Sequence, residues 1–297
     1  MKPPPFAYAA PSTLEEVLAL LAAAPADTTL LAGGQSLVPL LNMRLARPSI
    51  VVDLNRVEGL GAIEATDGTI RIGPMVRQRT VEVDPVIREQ LPLVAEAVGH
   101  AGHLAIRTRG TIGGSLAHAD PAAELPTAMV ALGARIILAT AEAGERVVPA
   151  AEFFLGPLMT AIEPGEVLAA VEIDAPPPGT GWAFVEVARV HGAFALVGVA
   201  ALLRTEPGGR IDAARLSYCG VGGAPYTPSW LDEMVRGEEP GEMLFAGVGD
   251  RVAGSIDPPT DTQAGSEYRR RVAGVLTRRA LALAAGRVGG RTKAVGP

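Results

Sequence analysis

Two glycine turns constrain the fold of this chain more than any other feature of its sequence. "LLAGGQSL", which begins at Leu30, and "RGTIGGSL", which begins at Arg109, each break an apolar or β-branched run with Gly-Gly, and Ser and a second apolar run follow. Glycine permits positive φ angles and, having no Cβ, leaves the backbone open to close approach. We interpret both as strand-to-helix turns, where unpaired backbone N–H groups and the helix N-terminus favour an anion such as phosphate.

The hydroxyls of Ser36, Thr111 and Ser115 add further donors, so the two turns together predict a grip on the two phosphates of one dinucleotide. Neither turn matches the G-x-G-x-x-G or the G-x-x-x-x-G-K-[ST] fingerprint. Glycine supplies 35 of the 297 residues, which exceeds its usual share of about 7%. Two ordinary turns therefore stand as the alternative interpretation.

Helical and strand patterns alternate in the first half of the chain. Ser12 and Glu15 have the spacing of a capping box ahead of the helical run "LEEVLALLAA". The pattern predicts strands at "TTLLAG", "IVVDL" and "GTIRIGPM", and helices at "LVPLLNMRLA" and "VDPVIREQLPLVAEAVGHAG". This mixture indicates an α+β or α/β fold.

Pro126 places the helix that follows the second glycine turn. Proline breaks a helix interior but is tolerated in the first turn. The helix "PTAMVALGA" is therefore predicted to begin near Leu125. Residues 120–124, which include Glu124, are then predicted to form an exposed loop at its N-terminal end.

A domain boundary is predicted in "IDAPPPGTGW", residues 173–182, where prolines and glycines interrupt the periodic pattern. Beyond it, "AFVEVARV", "FALVGVAALL" and "ARLSYCGVGG" resemble strands, and "PSWLDEMVRG" and "SEYRRRVAGVLTRRALALAAG" resemble helices. The last helix alternates an Arg-rich and an apolar face, which predicts packing on a sheet.

Composition excludes several classes of function. The net charge of −6, without a block of Lys or Arg, argues against nucleic acid as a partner. A single cysteine, Cys219, excludes an internal disulfide and a Cys-cluster metal site. The longest plainly apolar stretch covers residues 194–203, whereas a membrane-spanning helix needs about 20 residues. The chain is expected to be cytoplasmic and not membrane-spanning, and docking on a membrane-bound partner stays open.

The whole chain resembles the FAD-binding medium subunit of molybdenum hydroxylases of the carbon monoxide dehydrogenase and xanthine dehydrogenase type. The stretches that carry the resemblance are "LLAGGQSLVPLLNMRLARPSIVVDLNRV", "IRTRGTIGGSLAHADPAAELP", "GEVLAAVEI", "FVEVARVHGAFALVGVAA" and "EYRRRVAGVLTRRAL". The resemblance implies an α+β fold in which a two-lobed, vanillyl-alcohol-oxidase-like (PCMH-type) FAD-binding domain precedes a small α+β C-terminal domain. The implied limits are 1–176, with lobes of about 1–58 and 59–176, then 182–286, and a flexible tail at 287–297.

The resemblance also implies which residues bind FAD. The two glycine turns would hold the pyrophosphate, Glu124 would bond a ribose or ribityl hydroxyl, and Leu168 would lie near the flavin ring. Core packing is the alternative for Leu168, and charge complementation of the helix dipole is the alternative for Glu124. The implied set is Ala32, Gly33, Gly34, Gln35, Ser36, Leu37, Ile106, Thr111, Ile112, Gly113, Gly114, Ser115, His118, Glu124, Leu168 and Phe194.

One segment departs from the family pattern. Relatives of the carbon monoxide dehydrogenase type commonly read "ARRHGDF" or "ARRHGDY" where this chain has "ARVHGAF", so Val190 replaces an arginine and Ala193 an aspartate. Phe194 remains, and it would either cover one face of the isoalloxazine or lie in a strand core. No contact is assigned to Glu186 or Arg189 in this segment.

Histidines and arginines outside the turns offer weaker candidates. His100 and His103 have the spacing of a helical ligand pair, but no third ligand lies nearby in sequence, and no metal is predicted. Arg107 and Arg109 flank the second turn, and they would hold phosphate, contact another subunit or form a solvated surface pair.

The resemblance implies an oxidoreductase that transfers electrons through FAD. A small partner subunit would carry [2Fe–2S] clusters, a large one the molybdenum cofactor, and the assembly would be (αβγ)2. The substrate would react on the large subunit, so no catalytic residue is assigned here. Two alternatives stay open, a self-contained FAD-dependent oxidoreductase of the same fold and a noncatalytic scaffold that has lost its flavin.

Overall fold

The computed structural model describes residues 2–289, and these form two compact units. The first unit contains the chain up to Asp84 together with His103–Ala119 and Gly133–Asp174. The second contains Pro85–Gly102, Asp120–Leu132 and residues 175–289. Residues 290–297, which make up most of the tail predicted to be flexible, lie outside the described residues.

Helices and strands of the two units follow one another along the chain. The helices are α1 (Leu14–Ala23), α2 (Leu37–Asn42), α3 (Gln78–Val83), α4 (Pro85–Gln90), α5 (Pro92–His100), α6 (Leu104–Arg107), α7 (Ile112–His118), α8 (Glu124–Leu132), α9 (Ala150–Phe153), α10 (Leu231–Val235), α11 (Glu242–Ser255) and α12 (Ser266–Arg287). The strands are β1 (Ala7–Ala9), β2 (Thr28–Leu31), β3 (Ile50–Asp53), β4 (Ile63–Thr66), β5 (Thr69–Ile72), β6 (Arg135–Thr140), β7 (Gly144–Pro149), β8 (Phe154–Gly156), β9 (Met159–Thr160), β10 (Val167–Asp174), β11 (Gly181–Ala188), β12 (Ala195–Thr205) and β13 (Ile211–Cys219).

The first unit contains two larger sheets and the short β8–β9 hairpin. β1, β3 and β2 form a parallel sheet in that order, and the crossover from β2 to β3 runs through α2. β4, β5, β10, β6 and β7 form an antiparallel sheet in that order. α1 buries Val17, Leu18 and Leu21 in one core with Val52 and Ile137, because these helix residues recur on a single face.

The capping box of α1 lies one residue later than predicted. Thr13 is the N-cap, and its hydroxyl accepts from the Glu16 N–H (3.2 Å). The Glu16 carboxylate in turn accepts from the N–H groups of Thr13 (3.4 Å) and Ser12 (2.8 Å). "STLEE" contains the motif spacing twice, and the extended backbone at Thr13 (φ −125°, ψ 158°) selects the second copy.

The sequence pattern left several elements unpredicted, and β4 and α11 are two of them. β4 pairs with β5 through Asp67 and Gly68, whose φ angles of +51° and +82° form the tight hairpin turn that Asp-Gly favours. α11 escaped prediction because its three glycines weaken the helical signal. Its buried residues, Phe245 and Val252 among them, nevertheless belong to the core of the second unit.

The second unit is built on an antiparallel sheet in the order β11, β12, β13. α12 packs against β11 and β12, which confirms the prediction for the Arg-rich helix. α11 and α12 approach closely at two glycines, since a Cβ on Gly274 would lie 2.9 Å from the Gly249 carbonyl oxygen. α8 begins at Glu124, so Pro126 lies in its first turn as predicted. None of the described helices is both long and apolar enough to span a bilayer.

Candidate functional site

The first glycine turn connects β2 to α2 and leaves main-chain donors free. Gly34 has a φ of +74°, a left-handed conformation that favours glycine. The Val38 N–H donates to the Gly34 carbonyl (3.0 Å), whereas those of Gly34, Gln35 and Ser36 have no acceptor within residues 2–289. The Gln35 side chain donates to the Gly33 carbonyl oxygen (3.1 Å). The predicted strand-to-helix turn with free amides is therefore present here.

The second glycine turn connects helix α6 to helix α7, so the strand predicted before it is absent. Thr111 is the N-cap of α7, and its buried hydroxyl accepts from the Gly114 N–H (3.0 Å). The N–H groups of Ile112 and Gly113 donate to carbonyls of the segment after β5, at 3.0 and 2.9 Å. The expectation of unpaired amides is therefore wrong for this turn, because residues more than 30 positions earlier accept from Ile112 and Gly113, and the Thr111 hydroxyl accepts from Gly114.

The two turns lie against each other in the first unit. A Cβ on Gly33 would lie 2.3 Å from the Arg109 carbonyl oxygen and 2.8 Å from the Gly110 Cα. A Cβ on Gly114 would lie 3.4 Å from the Ala32 Cβ. Distances under 3 Å are shorter than a van der Waals contact, so the backbones approach this closely only because Gly33 has no side chain.

Two polar residues that the sequence analysis did not single out connect the turns. Asn55 Nδ2 donates to the Ala32 carbonyl oxygen (3.0 Å), and Arg77 Nη2 donates to Asn55 Oδ1 (2.6 Å). Arg77 Nη1 donates to the Arg109 carbonyl oxygen (2.6 Å). One sequence signal existed for Asn55. It follows strand β3 as Ala32 follows the parallel neighbour β2, and the carboxyl ends of parallel strands share one edge of a sheet.

The other candidates of the first unit lie on four different elements. Leu37 opens α2, Ile106 lies on α6 with 40% of its surface exposed, and His118 is half-buried at the end of α7. Ser115 lies on α7 and is half-buried. Leu168 is buried in β10, where it pairs with a residue of β6.

Arg107 differs from its predicted state. It is 8% exposed, and its guanidinium donates to the Glu82 carboxylate at 2.9 and 3.3 Å. The solvated surface pair is therefore wrong for Arg107, which forms a buried ion pair instead. Arg109 is exposed.

Glu124 belongs to the second unit and is buried there, with 6% of its surface exposed. Residues 120–123 form a loop as predicted, but Glu124 belongs to α8 and is not exposed, so the prediction is wrong for Glu124. Burial raises the pKa of Glu124 from 4.5 to about 7, and the nearby Glu186 acts in the same direction. At pH 7 a substantial fraction of Glu124, about half, is therefore protonated in the fold.

His100 has a carboxylate partner in the same unit. Its Nδ1 lies 3.5 Å from Glu186 Oε1, and this contact raises the pKa of His100. Its ring also lies 5.5 Å from that of Phe184. Among residues 2–289, no group of three or more His, Cys, Asp or Glu side chains is arranged to hold a metal ion.

Phe194 also belongs to the second unit and lies just before β12, with 68% of its surface exposed. The strand-core alternative for this residue is therefore wrong. The turn that precedes it is closed by the Ala193 N–H, which donates to the Val190 carbonyl (3.1 Å).

Comparison with known families decides what kind of chain this is. Residues 4–176 match the FAD binding domain in molybdopterin dehydrogenase, and residues 182–284 match the CO dehydrogenase flavoprotein C-terminal domain. The chain belongs to the family of FAD-binding medium subunits of molybdenum hydroxylases. The α+β fold with an FAD-binding domain and a C-terminal domain, expected from the resemblance, is confirmed. So are the oxidoreductase class and FAD as the cofactor of this family.

Relatives of the medium-subunit family match over nearly their whole length. The caffeine dehydrogenase subunit beta of Pseudomonas sp. (strain CBB1) is 40% identical over 97% of both chains. The carbon monoxide dehydrogenase medium chain of Hydrogenophaga pseudoflava is 33% identical over 95% of this chain and 97% of its own. Quinoline 2-oxidoreductase from Pseudomonas putida 86 matches in structure with a TM-score of 0.93 and 38% identity, over 98% of this chain and 100% of its own.

The first unit fits the diphosphate of a medium-subunit FAD. The first turn offers three free main-chain donors, and Gly33 leaves the two turns in backbone contact. Anionic oxygens are bound by such donors where no side chain blocks their approach.

Proposed function

We propose that this chain is the FAD-carrying electron-transfer subunit of a molybdenum hydroxylase complex. It takes electrons from [2Fe–2S] clusters of a small partner subunit and passes them to an external acceptor. A large subunit with the molybdenum cofactor oxidises the substrate. The observation that carries the proposal is the nearly full-length match to medium subunits, in a chain whose two glycine turns lie in contact.

The first turn is the main-chain part of the proposed grip. The N–H groups of Gly34, Gln35 and Ser36 donate to the FAD diphosphate, and glycine at positions 33 and 34 keeps side chains out of the way. The second turn contributes differently, because its amides are already bonded. It brings the Ser115 hydroxyl and the small surface of Gly114, while Thr111 keeps the turn in shape.

The remaining assignments rest on the resemblance. In the first unit, Leu37, Ile106, His118 and Leu168 line the cofactor. Glu124 and Phe194 are carried by the second unit, and no contact in the structure bears on their role. The raised pKa of Glu124 keeps a protonated form populated near pH 7, and in that form the carboxyl group can donate as well as accept a hydrogen bond.

Electron transfer in the proposed complex requires cofactors on more than one chain. FAD, when bound, supplies redox chemistry that accepts and releases electrons, and the protein positions it. A [2Fe–2S] cluster takes four ligands, usually cysteine thiolates, and the only cysteine here, Cys219, is buried. The clusters are therefore assigned to a partner, in an (αβγ)2 assembly.

In this proposal the substrate is characteristic of the whole complex and is not specified by the medium subunit. The relatives are named for caffeine, nicotine, glyceraldehyde and carbon monoxide, at 40 to 33% identity to this chain. A medium subunit of this kind thus occurs in complexes with chemically different substrates.

The test is a reconstitution of electron flow. The purified chain is expected to show a flavin spectrum and to release FAD on denaturation. Its flavin should be bleached by a reduced [2Fe–2S] partner that co-purifies with a molybdenum protein. Turnover of substrate by this chain alone would instead support a self-contained oxidoreductase, and failure to take up FAD would support a scaffold.

A further inference from the structure

We propose that Arg77, oriented by Asn55, is a positioning residue for the cofactor, because it holds the two glycine turns together and thereby sets the affinity for FAD. The inference rests on the proposed function, since it takes the turns to be the diphosphate grip. Neither residue belongs to a glycine turn or was predicted from the sequence pattern.

The connection runs through three hydrogen bonds. The Arg77 guanidinium donates to the Arg109 carbonyl (2.6 Å) and to Asn55 Oδ1 (2.6 Å), and Asn55 Nδ2 donates to the Ala32 carbonyl (3.0 Å). Ala32 opens the first turn, and Arg109 lies just before the second. The Arg109 carbonyl is also the group that faces Gly33 at a distance too short for any Cβ. Arg77 thus fixes the peptide on which the first turn rests.

Asn55 is itself held in one orientation. Its backbone N–H donates to Asp53 Oδ1 (2.9 Å), and its side-chain amide contacts the same oxygen. Asp53 also accepts from the Tyr8 hydroxyl (2.7 Å). Because the amide donates to Ala32 and Asp53, its oxygen is left to accept from Arg77.

Arginine is the side chain that this position requires. Its planar fork presents separate N–H groups in fixed directions, whereas a lysine ammonium is a single point donor. The two acceptors of Arg77 belong to different segments, so one end of a lysine can satisfy only part of the connection. Arg77 is half-buried, and desolvation, with help from the charge of Arg109, lowers its pKa without removing its charge at neutral pH. The connection is therefore cationic and lies beside the turns that receive the diphosphate.

The experiment measures FAD binding to the full chain after removal of the flavin, by titration and by the rate of FAD release. Arg77→Met is expected to weaken FAD binding about 10- to 100-fold, as two charge-assisted hydrogen bonds are lost. Asn55→Ala should have a similar effect, and the double variant should lose little more, because both residues act in one chain of contacts. Arg77→Lys should recover part of the affinity.

Arg71→Met is the matched control. Arg71 lies on β5 of the same unit, is half-exposed, and pairs with Glu172 (2.7 Å) and Glu145 (3.4 Å) away from the turns. The Arg71→Met variant should bind FAD with the affinity of the wild type. The melting temperature of each flavin-free variant separates an effect on binding from an effect on folding. If Arg77→Met does not fold, Asn55→Ala and Arg77→Lys carry the test.

Gly33→Val separates this inference from the proposed function. Wild-type FAD affinity in the Arg77 and Asn55 variants, with FAD lost from Gly33→Val, overturns the connection and leaves the diphosphate grip standing. Wild-type affinity in Gly33→Val overturns the grip itself. Equal weakening in Arg71→Met and Arg77→Met also overturns the inference, because it reveals a general loss of stability.

Discussion

Gly33 faces the carbonyl oxygen of Arg109 so closely that a Cβ at position 33 would lie 2.3 Å from that oxygen. Gly33 lies in the first glycine turn, between β2 and α2. Arg109 lies just before the second glycine turn, which leads into α7. The Arg109 oxygen belongs to the main chain, so it cannot rotate away from a new side chain at position 33 as a flexible side chain would. The space between the turns is therefore set by the absence of a side chain at position 33.

Replacing Gly33 should separate the turns. Gly33→Val is expected to lower FAD occupancy strongly and to destabilise the first unit by about 1–3 kcal/mol, because the new side chain overlaps the Arg109 peptide. Bound FAD per chain and the midpoint of urea unfolding measure the two effects. Gly61→Val is the control, since a Cβ there meets nothing within 4 Å. Full occupancy in Gly33→Val would contradict the assigned contact.

The Thr111 hydroxyl should stabilise the second turn because it caps the N-terminus of α7. It accepts from the Gly114 N–H (3.0 Å) at the start of α7. Thr111→Val keeps the shape but loses the acceptor, and it should lower the free energy of unfolding by about 1 kcal/mol. Thr111→Ser should retain most of it. Equal stability of the valine and serine variants in urea unfolding would show that the cap contributes nothing.

Glu124 should make the stability of the fold depend on pH. Its pKa is about 7 in the fold against 4.5 in its absence, so the unfolded chain loses this proton first as the pH rises. The free energy of unfolding should therefore fall between about pH 4.5 and 7, by an amount on the order of 3 kcal/mol. His100, whose pKa is raised, adds a loss of the same sign as the pH rises through its folded value.

Glu124→Gln should flatten this pH dependence, because an amide does not titrate. The measurement is the free energy of unfolding at several values from about pH 5 to 8. Glu58→Gln changes an exposed carboxylate of the first unit and should leave the slope unchanged. A Glu124→Gln variant with the wild-type slope would disprove the raised pKa of this buried carboxyl group.

Two arginines share the Glu82 carboxylate but should contribute unequally to the free energy of unfolding. The Arg107 side chain is 9% exposed and the Arg79 side chain 45%, each with a nitrogen 2.9 Å from Glu82. Arg107→Met leaves a shielded carboxylate without its buried partner and should cost about 3 kcal/mol. Arg79→Met should cost less than about 1 kcal/mol, as exposed pairs do. Equal losses of unfolding free energy would contradict the assigned burial.

Local patterns predicted much of this molecule because their causes are local. The apolar spacing of "LEEVLALLAA" buries one face of α1. Pro126 requires α8 to begin within a few residues of it, since proline is tolerated only in the first turn. The same reasoning missed the capping box by one residue where two copies of the motif overlap. It missed α11 because glycine lowers helix propensity while tertiary packing of Phe245 and Val252 restores the helix.

The sequence by itself determined the family, the FAD cofactor and the free amides of the first glycine turn, because these depend on residues adjacent in the chain. Only the tertiary structure decided that the amides of the second turn are bonded, that Glu124 is buried, and that Arg77 reaches Arg109. Each of these depends on partners brought from distant segments. A hydrogen bond or a lost hydration shell is a property of the atoms that meet, and the order of residues does not state which atoms meet.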